Sequence, residues 1–108
     1  MPSREEILRI LRDALPELRQ RYGVTRLALY GSFAYGRPGP RSDVDLLVEL
    51  EQPLGLEFIS MVYSLEEKLG RKVEVATFDA LRRGRQHPRN REAAQNIERT
   101  LLDVAATP

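Results

Sequence analysis

A chain of 108 residues, 42% hydrophobic and 31% charged, with no cysteine and a formal net charge of +1, has the length for one hydrophobic core and needs neither disulfides nor a structural metal to fold. No apolar run approaches the ~20 residues that cross a bilayer, and Met1-Pro2-Ser3-Arg4-Glu5-Glu6 lacks a signal peptide's apolar region, so one cytoplasmic domain spanning 1–108 is expected. Of the 17 basic residues all but Lys68 and Lys72 are arginine, a bias that suits phosphate or carboxylate partners and equally reflects genome composition or growth temperature.

Ser3 followed by Glu6 reads as a capping box, and Ile7, Leu8, Leu11, Ala14 and Leu15 recur at helical spacing, which predicts an amphipathic helix over 3–15. Pro16 should kink it or start a second turn, with helix continuing from Glu17 to Tyr22 until Gly23 supplies a left-handed stop. Val24 to Tyr30 is a short, mostly apolar run that predicts a strand in a covered sheet. Gly31-Ser32 ends it, Phe33 to Gly36 offers a helical turn, and Arg37-Pro38-Gly39-Pro40-Arg41-Ser42 is rich in breakers and reads as a loop.

Asp43 to Leu50 predicts a second strand, with Asp43, Asp45, Leu47 and Glu49 on one face and Val44, Leu46, Val48 and Leu50 on the other. Leu54 to Leu69, closed by Gly70, predicts a helix whose buried stripe is Phe58, Ile59, Val62, Leu65 and Leu69. Lys72 to Phe78 predicts a third strand. The segment 79–108 reads as an arginine-rich loop followed by a helix from about Glu92 to Val104, with Ile97, Leu101 and Leu102 as its apolar face. Strands interleaved with helices make this an α/β (α+β) sandwich.

Asp43 and Asp45, two apart on a strand, leave the same face with α-carbons about 6.6 Å apart. Two carboxylates so placed suit Mg²⁺, with water and substrate phosphates completing the shell, although an isolated Asp-Val-Asp is more commonly a solvated strand face. Upstream, Gly31 and Ser32 between a strand and a turn let backbone N–H groups approach a polyphosphate, where an isolated Gly-Ser would be an ordinary tight turn. Together they put a phosphate grip beside a metal grip, as a nucleoside triphosphate requires. Glu74, in Lys72-Val73-Glu74-Val75-Ala76, could join the carboxylates or accept the proton of an attacking hydroxyl if its strand is their neighbour; otherwise it is a surface glutamate.

Gly31-Ser32, ten residues, then Asp43-Val44-Asp45-Leu46-Leu47-Val48 resembles the signature of the DNA polymerase beta nucleotidyltransferase superfamily, and the short chain with Leu69-Gly70-Arg71-Lys72-Val73-Glu74-Val75 resembles its minimal nucleotidyltransferase branch. The resemblance runs from about Ser3 to Phe78. It implies a nucleotidyltransferase-fold mixed sheet with helices packed against it, Mg²⁺ held by Asp43 and Asp45 with Glu74 as the third candidate ligand, and the triphosphate of ATP against Gly31 and Ser32. Members of this branch transfer AMP to a tyrosine of a partner HEPN-domain ribonuclease, so that the two act as antitoxin and toxin. The family usually has aspartate where this chain has Glu74 and arginine where it has Tyr35, which makes Arg37 and Arg41 the candidates to contact phosphate in that arginine's place.

The five arginines between Arg82 and Arg91 could face RNA, an acidic partner or solvent. No Phe, Tyr or Trp follows Phe78 to stack on bases, which argues against direct nucleic-acid binding, and His87 has no second ligand nearby for a metal. Two other functions fit the same residues: an antitoxin that neutralises by contact with a vestigial site, and a small-molecule nucleotidyltransferase, similar to aminoglycoside-modifying enzymes, working with a second helical subunit.

Overall fold

A computed structural model describes residues 3–34 and 43–105. The chain runs α1 (Arg4–Tyr22), β1 (Val24–Tyr30), β2 (Val44–Leu50), α2 (Glu57–Leu69), β3 (Val73–Thr77), α3 (Phe78–Gln86), α4 (Arg91–Thr100) and β4 (Leu102–Asp103). The strands form one sheet in the order β3-β2-β1-β4, with β2 and β3 parallel and β1 antiparallel to both its neighbours. No helix of the described residues is long and apolar enough to cross a membrane.

Two apolar clusters lie on opposite faces of this mixed sheet. Leu27, Leu29, Val44, Leu46 and Val48 pack against Ile7, Leu11 and Leu18 of α1 and Met61 and Leu65 of α2. On the other face Ala28 and Leu47 pack against Phe78 and Leu81 of α3 and Ala94 of α4. A register shift between Val24 and Arg26 in the β1–β2 ladder lets Val24 and Leu27, three residues apart, serve the same core.

The helix ends follow local chemistry. The Ser3 side chain accepts from the Glu6 amide at 3.2 Å, while Gly23 and Gly70 adopt the left-handed conformation that stops α1 and α2. Pro16 lies inside a helix that continues unbroken to Tyr22 and starts no second one. In α2 the helix starts at Glu57 rather than Leu54, and its buried face turns on Met61, Leu65 and Leu69. Ile59, expected in that stripe, is instead 51% exposed because its position is rotated about 100° from Phe58, away from the sheet.

The last third departs most from expectation. The arginine-rich stretch opens as helix α3, not a loop: the Thr77 side chain caps it by accepting from the Ala80 amide at 3.0 Å, and Asp79 adds an acid to its first turn. The final helix is shorter than expected and ends at Thr100, because the consecutive Leu101 and Leu102 pack into opposite cores, as only extended backbone allows. Arg82 pairs with Asp79 and Glu49, and Arg85 with Glu98, so part of the basic run ties α3 to β2 and α4. The Arg26 guanidinium stands 4.2 Å from the Phe78 ring centroid and pairs with Asp103 at 2.6 Å, which joins β1, α3 and β4.

Candidate active site

Strand register assembles the site. Tyr30 of β1 lies opposite Asp45 of β2, and Asp45 opposite Glu74 of β3, so three residues form one row across three strands. By alternation this row projects from the same face as Ala28, Leu47 and Ala76, the face that α3 and α4 cover only in part. Asp43 precedes β2 by one residue and Asp45 by two, and is half-buried.

Proximity has an electrostatic effect. Burial, then the charge of Glu74, a hydrogen bond with Glu74 and the charge of Asp43 push the Asp45 carboxyl up to about 6. Burial and the charges of Asp45 and Glu74 likewise raise the Tyr30 phenol above its usual range. The like charges of these neighbouring carboxylates disfavour ionisation of Asp45. Among the described residues no group of three or more His, Cys, Asp or Glu side chains is placed to hold a metal ion by itself.

The turn after β1 completes the arrangement. Gly31 has φ 76°, and a Cβ there would lie 3.1 Å from the Asp45 Cγ and collide with its Oδ2, so glycine is required both by the backbone and by the carboxylate beside it. Ser32 follows, half-buried, and Phe33, fully buried in the α1–α2 core, anchors the turn from beneath. The Arg4 guanidinium donates to the Ala34 carbonyl at 3.2 Å, and Arg71 stands 5.4 Å from the Phe33 ring centroid. Gly31→Ala is expected to destabilise the protein by about 1–3 kcal/mol in urea unfolding, since it combines backbone strain with displacement of Asp45.

The structure thus brings together Gly31, Ser32, Asp45 and Glu74, with Asp43 beside them; Tyr35, Arg37 and Arg41 lie outside the described residues. Tyr30 was missed by sequence reasoning. A strand-end aromatic reads as core, although alternation from Ala28 and the later pairing with Asp45 put it in the site row.

The profile of the nucleotidyltransferase domain matches residues 10–100. The chain belongs to the nucleotidyltransferase domain family. This nucleotidyltransferase is 39% identical over 85 residues to the protein adenylyltransferase MntA of Thermococcus cleftensis, an alignment that covers 78% of this chain and 86% of that one. Among solved structures it is similar to a candidate minimal nucleotidyltransferase, with TM-score 0.66 and 29% identity over 94% of this chain and 95% of the other. A chain from a solved complex of tri-AMPylated Shewanella oneidensis HEPN toxin with MNT antitoxin shares the fold at TM-score 0.53 and 16% identity, covering 96% of this chain and 70% of that one.

Proposed function

We propose that this nucleotidyltransferase is a Mg²⁺-dependent, cytoplasmic protein adenylyltransferase that moves AMP from ATP to a tyrosine hydroxyl of a HEPN-domain toxin and so acts as its antitoxin. The observation that carries the reading is the row Tyr30–Asp45–Glu74 set against the Gly31-Ser32 turn. Similarity to the Thermococcus adenylyltransferase supports the reaction, and the fold shared with a chain of the toxin–antitoxin complex supports the partner.

The donor set fits the metal. Asp43, Asp45 and Glu74 offer oxygen only, and Mg²⁺ is usually held by one or two carboxylates together with waters and substrate phosphates, so an all-protein cage is not needed. When bound at Asp43 and Asp45, with Glu74 beside them, the ion supplies charge neutralisation at the phosphoryl oxygens. The Gly31-Ser32 turn is the candidate to offer backbone N–H groups to the triphosphate, and Arg37 and Arg41, outside the described residues, are the candidates for charge-assisted contacts to it. The acceptor oxygen bonds to the α-phosphorus as the bond to pyrophosphate breaks. Glu74, the exposed carboxylate of the row, is our candidate to take the hydroxyl proton.

The test is incubation of the full chain with labelled ATP, Mg²⁺ and a HEPN-domain protein encoded beside it, followed by mass spectrometry of the acceptor. The expected result is AMP on a tyrosine, with transfer lost in Asp43→Ala. Absence of transfer by the wild-type protein, or undiminished transfer by the variant, would reject the reading.

A further inference from the structure

Between the sheet and the α3–α4 pair lies an open, mostly apolar cavity of about 250 Å³ that no role above absorbs. Its floor is Leu47 and Ala76, the residues two positions along their strands from Asp45 and Glu74, and Tyr30 lines the end nearest the carboxylates. The cavity is therefore continuous with the site row, one strand repeat away, about 6.6 Å. Its walls are small where the helices face each other: a Cβ on Gly84 would already lie 3.8 Å from those of Ala94 and Asn90.

The volume is below the range of pockets that enclose whole drug-sized ligands and matches one flat ring system. Polar groups are few. The Tyr30 phenol stands at one end, and Asn90, the N-cap residue of α4, makes no side-chain capping bond and brings an amide donor and acceptor to another part of the lining. An amide of this kind can pair with a base edge that presents an adjacent donor and acceptor, as adenine does.

We propose that this cavity is the nucleobase subsite: the purine of the nucleoside triphosphate slides between β2–β3 and the α3–α4 pair, with Asn90 reading its edge. The inference rests on the nucleotidyltransferase reading above and goes beyond it by assigning base selectivity to residues outside the carboxylate row. A ribose is the only spacer between α-phosphate and base, which suits a cavity one strand repeat from the carboxylates. The acceptor must approach from the side opposite the departing pyrophosphate, and no feature of the cavity favours it.

The test uses the full chain with Mg²⁺ and calorimetric titration of two probes, α,β-methylene-ATP, which cannot donate AMP, and inorganic tripolyphosphate, which has no base. Ala93→Leu fills the cavity from an exposed position and should weaken the ATP analogue at least tenfold while leaving tripolyphosphate unchanged. Asn90→Ala should lower the ATP-over-GTP ratio of kcat/KM about tenfold. Unchanged affinity of Ala93→Leu for the analogue overturns the subsite, as does equal weakening of both probes. If Ala93→Leu binds the analogue normally yet transfers poorly to the protein acceptor, the cavity holds the acceptor and the proposal is also overturned. Failure of the wild type to bind either probe would instead reject the underlying nucleotidyltransferase chemistry.

Discussion

Asp45→Asn is expected to abolish AMP transfer, by at least about 10³-fold, while making the folded protein more stable at pH 7. The two effects share one cause. In the folded chain the carboxyl is pushed up to about 6 by burial and by Glu74 and Asp43, whereas in the unfolded chain it titrates near 3.9. Between these values the folded state retains a proton that the unfolded state has lost, so stability falls as pH rises through the window from about 4 to 6, and above it the whole penalty is present. Asparagine carries no charge and can donate to Glu74. Because the side chain is partly open to water the gain is on the order of 1 kcal/mol, or about 4 °C in Tm. Thermal unfolding of both proteins at pH 4.5 and pH 7.5 checks the sign: the gain should appear at pH 7.5 and largely vanish at pH 4.5. A variant less stable than wild type at pH 7.5 would show that Asp45 is held by favourable contacts and not by like-charge crowding.

Phe33→Ala should produce the largest loss of stability. The side chain is 0% exposed in the α1–α2 core, and truncating such a residue costs about 3–5 kcal/mol, a large share of the 5–15 kcal/mol available to a domain. It also releases the turn that carries Gly31 and Ser32, so transfer should fall more than tenfold even where the fold survives. Phe33→Leu, which refills most of the space, should recover most of the stability. Urea unfolding and the transfer assay on both variants separate the two contributions: equal activity of Phe33→Leu and wild type, with the alanine variant folded but slow, would assign the loss to the loosened turn.

What the sequence showed depended on how local the determinant was. Ser3, Gly23 and Gly70 set helix ends through their own backbone and side-chain geometry, and the alternation from Asp43 to Leu50 set which face of β2 carries acids. The spacing from Gly31-Ser32 to Asp43 and Asp45 identified the candidate site before any pairing was known. The neighbour of Asp45 was not legible, because parallel register between β2 and β3 is fixed by core packing across the α2 crossover and not by either strand alone. Helix α3 was hidden by composition: Phe78 and Leu81 are its only buried residues, too few to establish a period among arginines. Its sign was Thr77 followed by Asp79, a capping pattern more informative here than hydrophobicity. A strand of two residues, β4, leaves no pattern to read.

That short strand has a consequence for how the molecule is made. β1 is central in the finished sheet only because Ala28 and Leu29 meet Asp103 and Leu102, and because the Val104 amide donates to the Leu27 carbonyl at 2.9 Å. During synthesis the β1–β2 hairpin can form early, but this side of β1 keeps unpaired backbone groups until residues 102–104 arrive. Closing so long a loop is entropically slow, which makes the last pairing a late folding event and the interval before it the period of greatest exposure to strand-to-strand aggregation.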